Sequence, residues 1–353
     1  MARHSVALLP AVIATALACV LALAMSAPAG EIGAELDVAR GVRWERFDPK
    51  TGKKAWEVAA KEATAGPNMS YFIKEPKVVI HCTGYDMNIS SDTGLVKRED
   101  DKNNVFTLDG NVTLKFNDPS HSVITTEKLV WLASKRLLTT DDPVQMSRDD
   151  LEVSGVGMQV EPEKQGKDVR LVRLEKGVKA VISPSASKSA LFSSLNGIEE
   201  PAAKPGQPEG PPMIITSRGP MIINRDSGSV AFSDSVAVRR GTFSLRCDNM
   251  EMTFDGETRK AKDILCTGHV QAFDGKNGAS GERLKWDPVS GLTEITGKKD
   301  GSRAKTWRGG ATVSAPSISI SQKDRKVTWS GRAQLFAPPE GPEQFLHFGG
   351  GLD

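Results

Sequence analysis

Two stretches of the chain repeat one phrase: LDGNVTLKF, Leu108 to Phe116, and CTGHVQAF, Cys266 to Phe273. Each contains a glycine, then any residue, then Val, then an apolar residue two positions later. A second phrase follows each of them, TEKLVWLASKRLLTT from Thr126 and GERLKWDPVSGLTEIT from Gly281. A third copy, Asp234 to Ile264, lacks the glycine but keeps the rest. The copies recur at about the spacing of one unit of a repeat protein. Because such units stack into arrays or solenoids, the sequence predicts an array of similar β-units.

Apolar residues in these phrases alternate with polar ones. Val112, Leu114 and Phe116 follow a period of two, as do Leu284 and Trp286. This period is typical of half-buried strands, whereas helical spacing is nearly absent beyond the first thirty residues. The pattern predicts an all-β fold in which each strand has one apolar and one polar face.

Four similar turn sequences punctuate the strands: FDPKTGKK at Phe47, SDTGLV at Ser91, NRDSGSV at Asn224 and WDPVSGLT at Trp286. An Asp that bonds backbone amides, followed by a Gly with positive φ, is typical of a tight turn. We therefore predict a hairpin at each of the four sites. Tight hairpins join antiparallel neighbours, so the predicted architecture is a long antiparallel meander.

The chain divides by composition into five segments. Residues 1–30 hold Arg3, a long apolar run and a small-residue site, which predicts either a cleaved signal peptide or an uncleaved membrane anchor. The Pro-rich residues 183–212 predict a flexible linker, because so few apolar side chains cannot offset the entropy of ordering. The linker separates two predicted β-domains, residues 31–182 and 213–337. Residues 338–353 are predicted to be a flexible tail.

Charge and motifs argue against several functions. The formal net charge of the 353 residues is only +2, so we expect no nucleic-acid partner. No nucleophile elbow, zinc-protease motif or phosphate loop occurs, and the five His are scattered, so we expect no catalytic residue, metal or cofactor. Cys247 and Cys266 fall on neighbouring predicted strands, where they either form a disulfide in an oxidising compartment or remain buried small hydrophobes.

The order of the phrases resembles the OstA-like periplasmic proteins of lipopolysaccharide transport. The first half resembles LptC through its N-terminal apolar segment, WEVAAKEA from Trp56, LDGNVTL and LLTTDDPVQM. The second half, Ile214 to Phe336, resembles LptA through FSDSVAVRRGTFSLRCDNMEMTF and CTGHVQAF. The resemblance implies antiparallel β-jellyroll modules open along one side, a shape called a β-taco.

The resemblance also implies a function and a location. Acyl chains of lipopolysaccharide, or of a related glycolipid, would lie in an apolar groove of a periplasmic protein tethered to the inner membrane. The implied partners are the inner-membrane ABC-type lipopolysaccharide exporter and, through strand edges, other β-jellyroll bridge or outer-membrane components. The candidate groove-lining residues are Val112, Leu114, Leu129, Trp131, Val144, Met146, Val236, Val238, Met250, Met252, Val270, Leu284 and Trp286.

Two alternatives remain open. On burial statistics alone, the same thirteen residues are a plain hydrophobic core. The chain would then be a structural or adhesive β-repeat protein of the cell envelope with a filled centre. An elongated apolar cavity favours the lipid carrier, and a packed centre favours the scaffold.

Overall fold

A computed structural model of the chain describes residues 38–336 except 49–50, 83–84, 99–103, 118–120, 149–150, 163–168, 184–210, 256–260 and the single positions 276, 288, 299, 322 and 325. The predicted anchor and tail, and most of the predicted linker, lie outside the described residues. Within the described part, no helix has the length and apolar character needed to cross a membrane.

The elements that the structure describes are strands, and these residues contain no helix, which confirms the all-β prediction. Pairing is antiparallel throughout. The strands in chain order are β1 Val38–Phe47, β2 Lys54–Gly66, β3 Ser70–Lys74, β4 Lys77–His81, β5 Asp86–Ser90, β6 Thr93–Arg98, β7 Asn104–Phe116, β8 Val123–Leu132, β9 Leu137–Arg148, β10 Leu151–Pro162, β11 Val169–Ile182, β12 Met213–Ser217, β13 Met221–Asn224, β14 Ser229–Arg240, β15 Phe243–Phe254, β16 Ala261–Asp274, β17 Asn277–Asp287, β18 Leu292–Thr296, β19 Ala304–Arg308, β20 Ala311–Ala315, β21 Ser317–Ser321, β22 Lys326–Ser330 and β23 Gln334–Phe336.

The sheet is more branched than the predicted meander. Long strands such as β2 pair along one half with one short strand, β4, and along the other half with another, β3. β7 pairs in the same way with β5 and β6, and β14 with β12 and β13. Each long strand therefore runs through two regions of sheet, which we call leaf A and leaf B. Leaf A contains β4, β5, β12, β19, β20 and β23, leaf B contains β3, β6, β13, β18, β21 and β22, and the long strands contribute a segment to both.

The predicted turns are correct at three of the four sites. Backbone hydrogen bonds close the β1–β2 turn after Phe47, and pairing joins β13 to β14 after Asn224 and β17 to β18 after Asp287. The prediction at Ser91 is wrong. β5 and β6 do not pair with each other but lie one after the other along β7, so Ser91 and Asp92 form a corner at which the chain passes from leaf A to leaf B.

The glycine of the repeated phrase also lies at a corner between the leaves, Gly110 on β7 and Gly268 on β16. Gly110 and Asn111 have φ of 78° and 50°, and Gly268 and His269 have φ of 76° and 49°. The pairing register shifts at both places, as it does at a β-bulge that bends a strand. Gly-x-Val is thus the sequence of a corner, and the Val that follows is the first inward residue of leaf A.

The third copy forms this corner without glycine. Asp234 and Ser235 have φ of 62° and 57°, and the register of β14 on β15 shifts between Ser233 and Val236. Asp tolerates the left-handed region better than most residues because its short polar side chain bonds locally. Here the Asp234 carboxylate accepts hydrogen bonds from Arg218 Nη2 at 3.0 Å and from Ser235 Oγ at 3.1 Å.

Both leaves continue across the predicted linker. In leaf A, β11 pairs with β12 from Val178 opposite Ser217 to Ile182 opposite Met213. In leaf B, β11 pairs with β13 from Leu171 opposite Asn224 to Leu174 opposite Met221. Ile182 and Met213 are therefore direct pairing partners at the ends of adjacent antiparallel strands, at a position where other strand pairs have a hairpin turn.

Candidate functional site

The space between the leaves is lined from both sides by the predicted groove residues. Twelve of the thirteen are at most 5% exposed, and the thirteenth, Met146, is partly buried against them. Leaf A contributes Val112, Leu114, Val144, Met146, Val236, Val238 and Val270. Leaf B contributes Leu129, Trp131, Met250, Met252, Leu284 and Trp286. The structure thus brings these residues into one apolar cluster.

Sequence reasoning missed several large members of this cluster. Phe106, Leu108, Leu138, Ile73 and Ile89 are buried within it. Phe106 and Leu108 alternate on the segment of β7 before Gly110, so the period of two could have identified them. Ile73 and Ile89 lie on strands of only five residues, which give too short a pattern to assign an inward face.

Aromatic side chains join the leaves in the N-terminal half. Trp56 of leaf A lies edge-on to two rings of leaf B, with centroid distances of 5.5 Å to Phe106 and 5.4 Å to Trp131. Phe106 and Trp131 stack on each other at 4.7 Å. In this conformation the leaves are in contact, so a lipid that reached the buried residues would have to separate them.

The ends of the sheet have unpaired edges within the described chain. At one end β1 pairs only with β2, and at the other β22 pairs only with β21 and β23 only with β20. Val38 and Phe47 of β1 are 52% and 53% exposed, and Phe336 of β23 is 61% exposed. Edges with free amides and carbonyls can accept a further strand.

Charged side chains cover the outward face beside the β1 edge. Glu57 accepts hydrogen bonds from Arg43 Nη2 and Lys54 Nζ, both at 2.7 Å, and Lys54 also bonds Glu45 at 2.9 Å. The hydrogen bonds from Lys54 and Arg43 lower the pKa of Glu57 to about 2. The carboxylate is therefore ionised throughout the neutral range.

Cys247 and Cys266 lie on the neighbouring strands β15 and β16, as predicted, and both are buried. They are free thiols in the structure. A hydrogen bond with Cys247, together with burial, raises the pKa of Cys266 well above its usual value. The two thiols are thus close neighbours, and the disulfide remains a prediction.

Acidic pairs do not form a recognisable catalytic or metal site in the described residues. Asp141 and Asp142 lie at the corner of β9, where the Asp142 amide donates a hydrogen bond to Thr140 Oγ1 at 3.1 Å. Asp100 and Asp101 lie outside the described part. No group of three potential metal ligands occurs among the residues with described positions.

Comparison with known proteins identifies two families along the chain. No curated protein matches the sequence. Among solved structures, the chain is similar to the crystal structure of LptH, the LptA homologous periplasmic component of the conserved lipopolysaccharide transport device from Pseudomonas aeruginosa, at 13% identity and a TM-score of 0.31, over 36% of this chain and 96% of that one. The model of the family "Lipopolysaccharide-assembly, LptC-related" matches residues 37–182, and that of the family "LptA/(LptD N-terminal domain) LPS transport protein" matches residues 220–326. Residues 37–182 thus match the LptC-related family of lipopolysaccharide assembly, and residues 220–326 match the LptA and LptD N-terminal family of lipopolysaccharide transport, in the order that the sequence predicts.

Proposed function

We propose that this chain carries lipopolysaccharide or a related glycolipid through the periplasm, with acyl chains between the two leaves and sugars in solvent. The observation that carries the proposal is the apolar interior, which is lined from both leaves in both family segments. The work of such a carrier is binding rather than bond chemistry, which agrees with the absence of catalytic motifs in the sequence.

The residues of the interior suit acyl chains in the C-terminal segment. Val236, Val238 and Val270 line leaf A there, and Met250 and Met252 line leaf B. Unbranched Met side chains adapt to irregular apolar surfaces. Burial of each acyl methylene contributes about 0.8 kcal/mol, so a few buried chains supply substantial affinity.

Lipid entry requires the leaves to separate along the side opposite the corners. At the corners the backbone of each long strand passes from one leaf to the other, so the leaves are joined covalently there. On the opposite side we find side-chain contacts between the leaves, such as those of Trp56. Each acyl chain that enters replaces leaf-to-leaf apolar contacts with lipid-to-leaf contacts. The exchange therefore leaves apolar surface buried, and its free-energy change is smaller than that of opening the leaves to water.

The two ends of the sheet supply the connections. In this proposal the edge strand β1 faces the inner-membrane ABC-type exporter, and β22 and β23 continue the sheet into the next bridge or outer-membrane component. An apolar segment within residues 1–30 would hold the first module, residues 31–182, at the inner membrane. The second module, residues 213–337, would pass lipid outward, and residues 183–212 would act as a linker.

A scaffold with a filled core is the competing function, and the tight burial of the interior favours it. Site-specific photo-crosslinking in living cells separates the two. Probes at Leu129 and Met252 face the interior, and probes at the adjacent Lys128 and Glu251 are exposed controls on the same strands.

We expect glycolipid adducts at the two inward positions and none at the two controls. Adducts at none of the four positions, in protein that is folded and exported, would favour the scaffold. Equal labelling of inward and outward probes would indicate surface adsorption and would also contradict the carrier.

A further inference from the structure

Trp56, Phe106 and Trp131, which we call the aromatic cluster, lie where the two leaves meet on the side opposite the corners. Trp56 lies two residues after the start of β2, next to the β1–β2 turn of leaf A. Trp131 lies two residues before the turn that begins at Ala133, at the side of leaf B. Arg136 Nη2 of that turn is 3.9 Å from Asp48 Oδ2 of the β1–β2 turn. These contacts place the cluster at the seam along which the leaves would open.

Trp131 brings an unused hydrogen-bond donor to this seam. Its side chain is 0% exposed, and its indole Nε1 has no hydrogen-bond partner among the described residues. Indole nitrogen is only a donor, and the rings against it belong to Phe106 and Trp56, which present no oxygen acceptor. The perpendicular Trp56 ring offers at most a weak contact to its π face.

Buried donors are nearly always bonded in native proteins, so an orphan of this kind needs an explanation. Nothing in the packing requires the nitrogen, since a phenyl ring also fills an apolar cluster. A ligand with an oxygen acceptor at this depth would satisfy it. Trp is moreover the side chain that suits a boundary between apolar and wet surroundings, because its ring is apolar and its N–H is polar.

We propose that the Trp131 Nε1–H donates a hydrogen bond to a carbonyl oxygen of the bound glycolipid, at the ester or amide linkage that joins its acyl chains to the sugar. This inference rests on the proposed function, in which chains lie inside the leaves and sugars outside. The joining ester or amide carbonyl then lies at the seam. Trp131 lies two residues, about 7 Å at 3.4 Å per residue, from the turn that follows its strand, so its N–H is close to the seam.

The ligand class follows from this donor. The N-terminal segment would select amphiphiles whose acyl chains are attached through carbonyl groups over ether-linked or plain alkyl amphiphiles, because a carbonyl oxygen is a stronger hydrogen-bond acceptor than an ether oxygen. The Asp48–Arg136 pair and the Trp56 contacts would release as the chains enter. In lipid-free protein they hold the donor out of water.

The test compares two glycolipid probes on the purified full chain and its variants. One probe has ester- and amide-linked acyl chains, and the other is its ether-linked analogue without carbonyls. Trp131→Phe keeps an aromatic ring and removes the N–H. Trp56→Phe is the matched control, because it makes the same change in the same cluster on the opposite leaf.

We expect Trp131→Phe to weaken binding of the carbonyl-bearing probe by about five- to tenfold, the usual effect of one hydrogen bond, and to leave the ether analogue unchanged. Trp56→Phe should change the binding of both probes by the same factor. In NMR spectra of protein labelled with ¹⁵N in the Trp indoles, the signal that is missing from Trp131→Phe identifies the Trp131 Nε1–H. In the wild type this signal should move downfield when the carbonyl-bearing probe binds and should not do so with the ether analogue.

Two results would overturn the inference and are distinguishable. If both probes bind equally and the Trp131 signal does not move, the donor is unused, and the proposed function stands without it. If neither probe binds the wild-type chain, the proposed function fails, and the inference fails with it.

Discussion

Replacement of Gly268 by Ala tests the idea that Gly-x-Val is a corner rather than a ligand contact. A Cβ at this position would lie 2.7 Å from Asp248 Cγ and 2.8 Å from Asp248 Cβ. The second atom is attached to the backbone, so no side-chain rotation removes the overlap. The residue also has φ of 76°, a conformation that costs an L-residue about 1–2 kcal/mol.

These two effects add to a sizeable loss of stability. Overpacking of this kind costs about 1–3 kcal/mol, so the free energy of unfolding should fall by about 2–5 kcal/mol in Gly268→Ala. Gly275→Ala is the control, because Gly275 has φ of 58° and nothing within 4 Å of its built Cβ. It should lose only the conformational contribution of about 1–2 kcal/mol.

The assay is urea unfolding of the purified chain, followed by circular dichroism and analysed by linear extrapolation. A double-mutant cycle with Asp248→Gly isolates the overlap, because each single change carries its own cost in the cycle. Gly268→Ala should be less harmful in the Asp248→Gly background by about 1–3 kcal/mol. If Gly268→Ala and Gly275→Ala lose equal stability, or if the cycle shows no coupling, the corner explanation is wrong.

Three further predictions concern other parts of the molecule. Cys266, whose pKa is raised by its contact with Cys247 and by burial, should react with iodoacetamide at pH 8 much more slowly in the folded reduced chain than in urea, as measured by mass spectrometry; equal rates would contradict this. Glu57→Gln should lower the free energy of unfolding at pH 7 by about 0.5–1 kcal/mol, because it removes ion pairs near the surface whose side chains remain 22–59% exposed. Because the pKa of Glu57 is about 2 in the folded chain against 4.5 as the usual value, that difference should shrink as pH falls from 4.5 towards 2, and a difference independent of pH would exclude the ion pair as its cause. Replacement of residues 184–210 by a four-residue turn should leave the circular dichroism spectrum intact and raise the free energy of unfolding by about 1–2 kcal/mol, because β11 already pairs with β12 and a shorter loop costs less entropy to close; a loss of β signal would show that the segment is structural.

The strand content of the fold could be predicted from sequence because its signals are local. Alternation identified Val112, Leu114 and Trp286 as inward residues, and each is buried. The turns after Phe47 and Asn224 could also be predicted from local chemistry, since the side-chain oxygens of Asp48 and Asn224 accept hydrogen bonds from backbone amides of the turn. These features depend on residues within a few positions of one another.

The branching of the sheet could not be predicted from such signals. SDTGLV has the composition of a hairpin turn, but Asp92 instead approaches Gly110 on the next strand and accepts a hydrogen bond from Asn111 Nδ2 at 2.7 Å. That contact joins residues 19 positions apart. Whether an Asp-Gly sequence turns the chain back or carries it across a corner depends on which strand it lies against, and no local pattern contains this information.

The inward face of each strand could be predicted from the sequence, but the contacts between the two leaves could not. The candidate residues were found on the correct face because inward orientation is periodic, but their partners across the leaves were not. Trp56 contacts Phe106 and Trp131 across about 50 and 75 positions of chain, and only the folded sheet brings them together. The seam and the unpaired Trp131 N–H could therefore be identified only from the structure.

The continuous pairing of β11 with β12 and β13 has a consequence for assembly. In a relay of separate subunits, each junction is a binding equilibrium that weakens on dilution and requires matched copy numbers. Here the junction between the LptC-related and LptA-type segments lies within one polypeptide, so its occupancy does not depend on protein concentration. The two segments are always supplied in a one-to-one ratio, and in the proposed relay the expression level would limit only the junctions at the two outer edges.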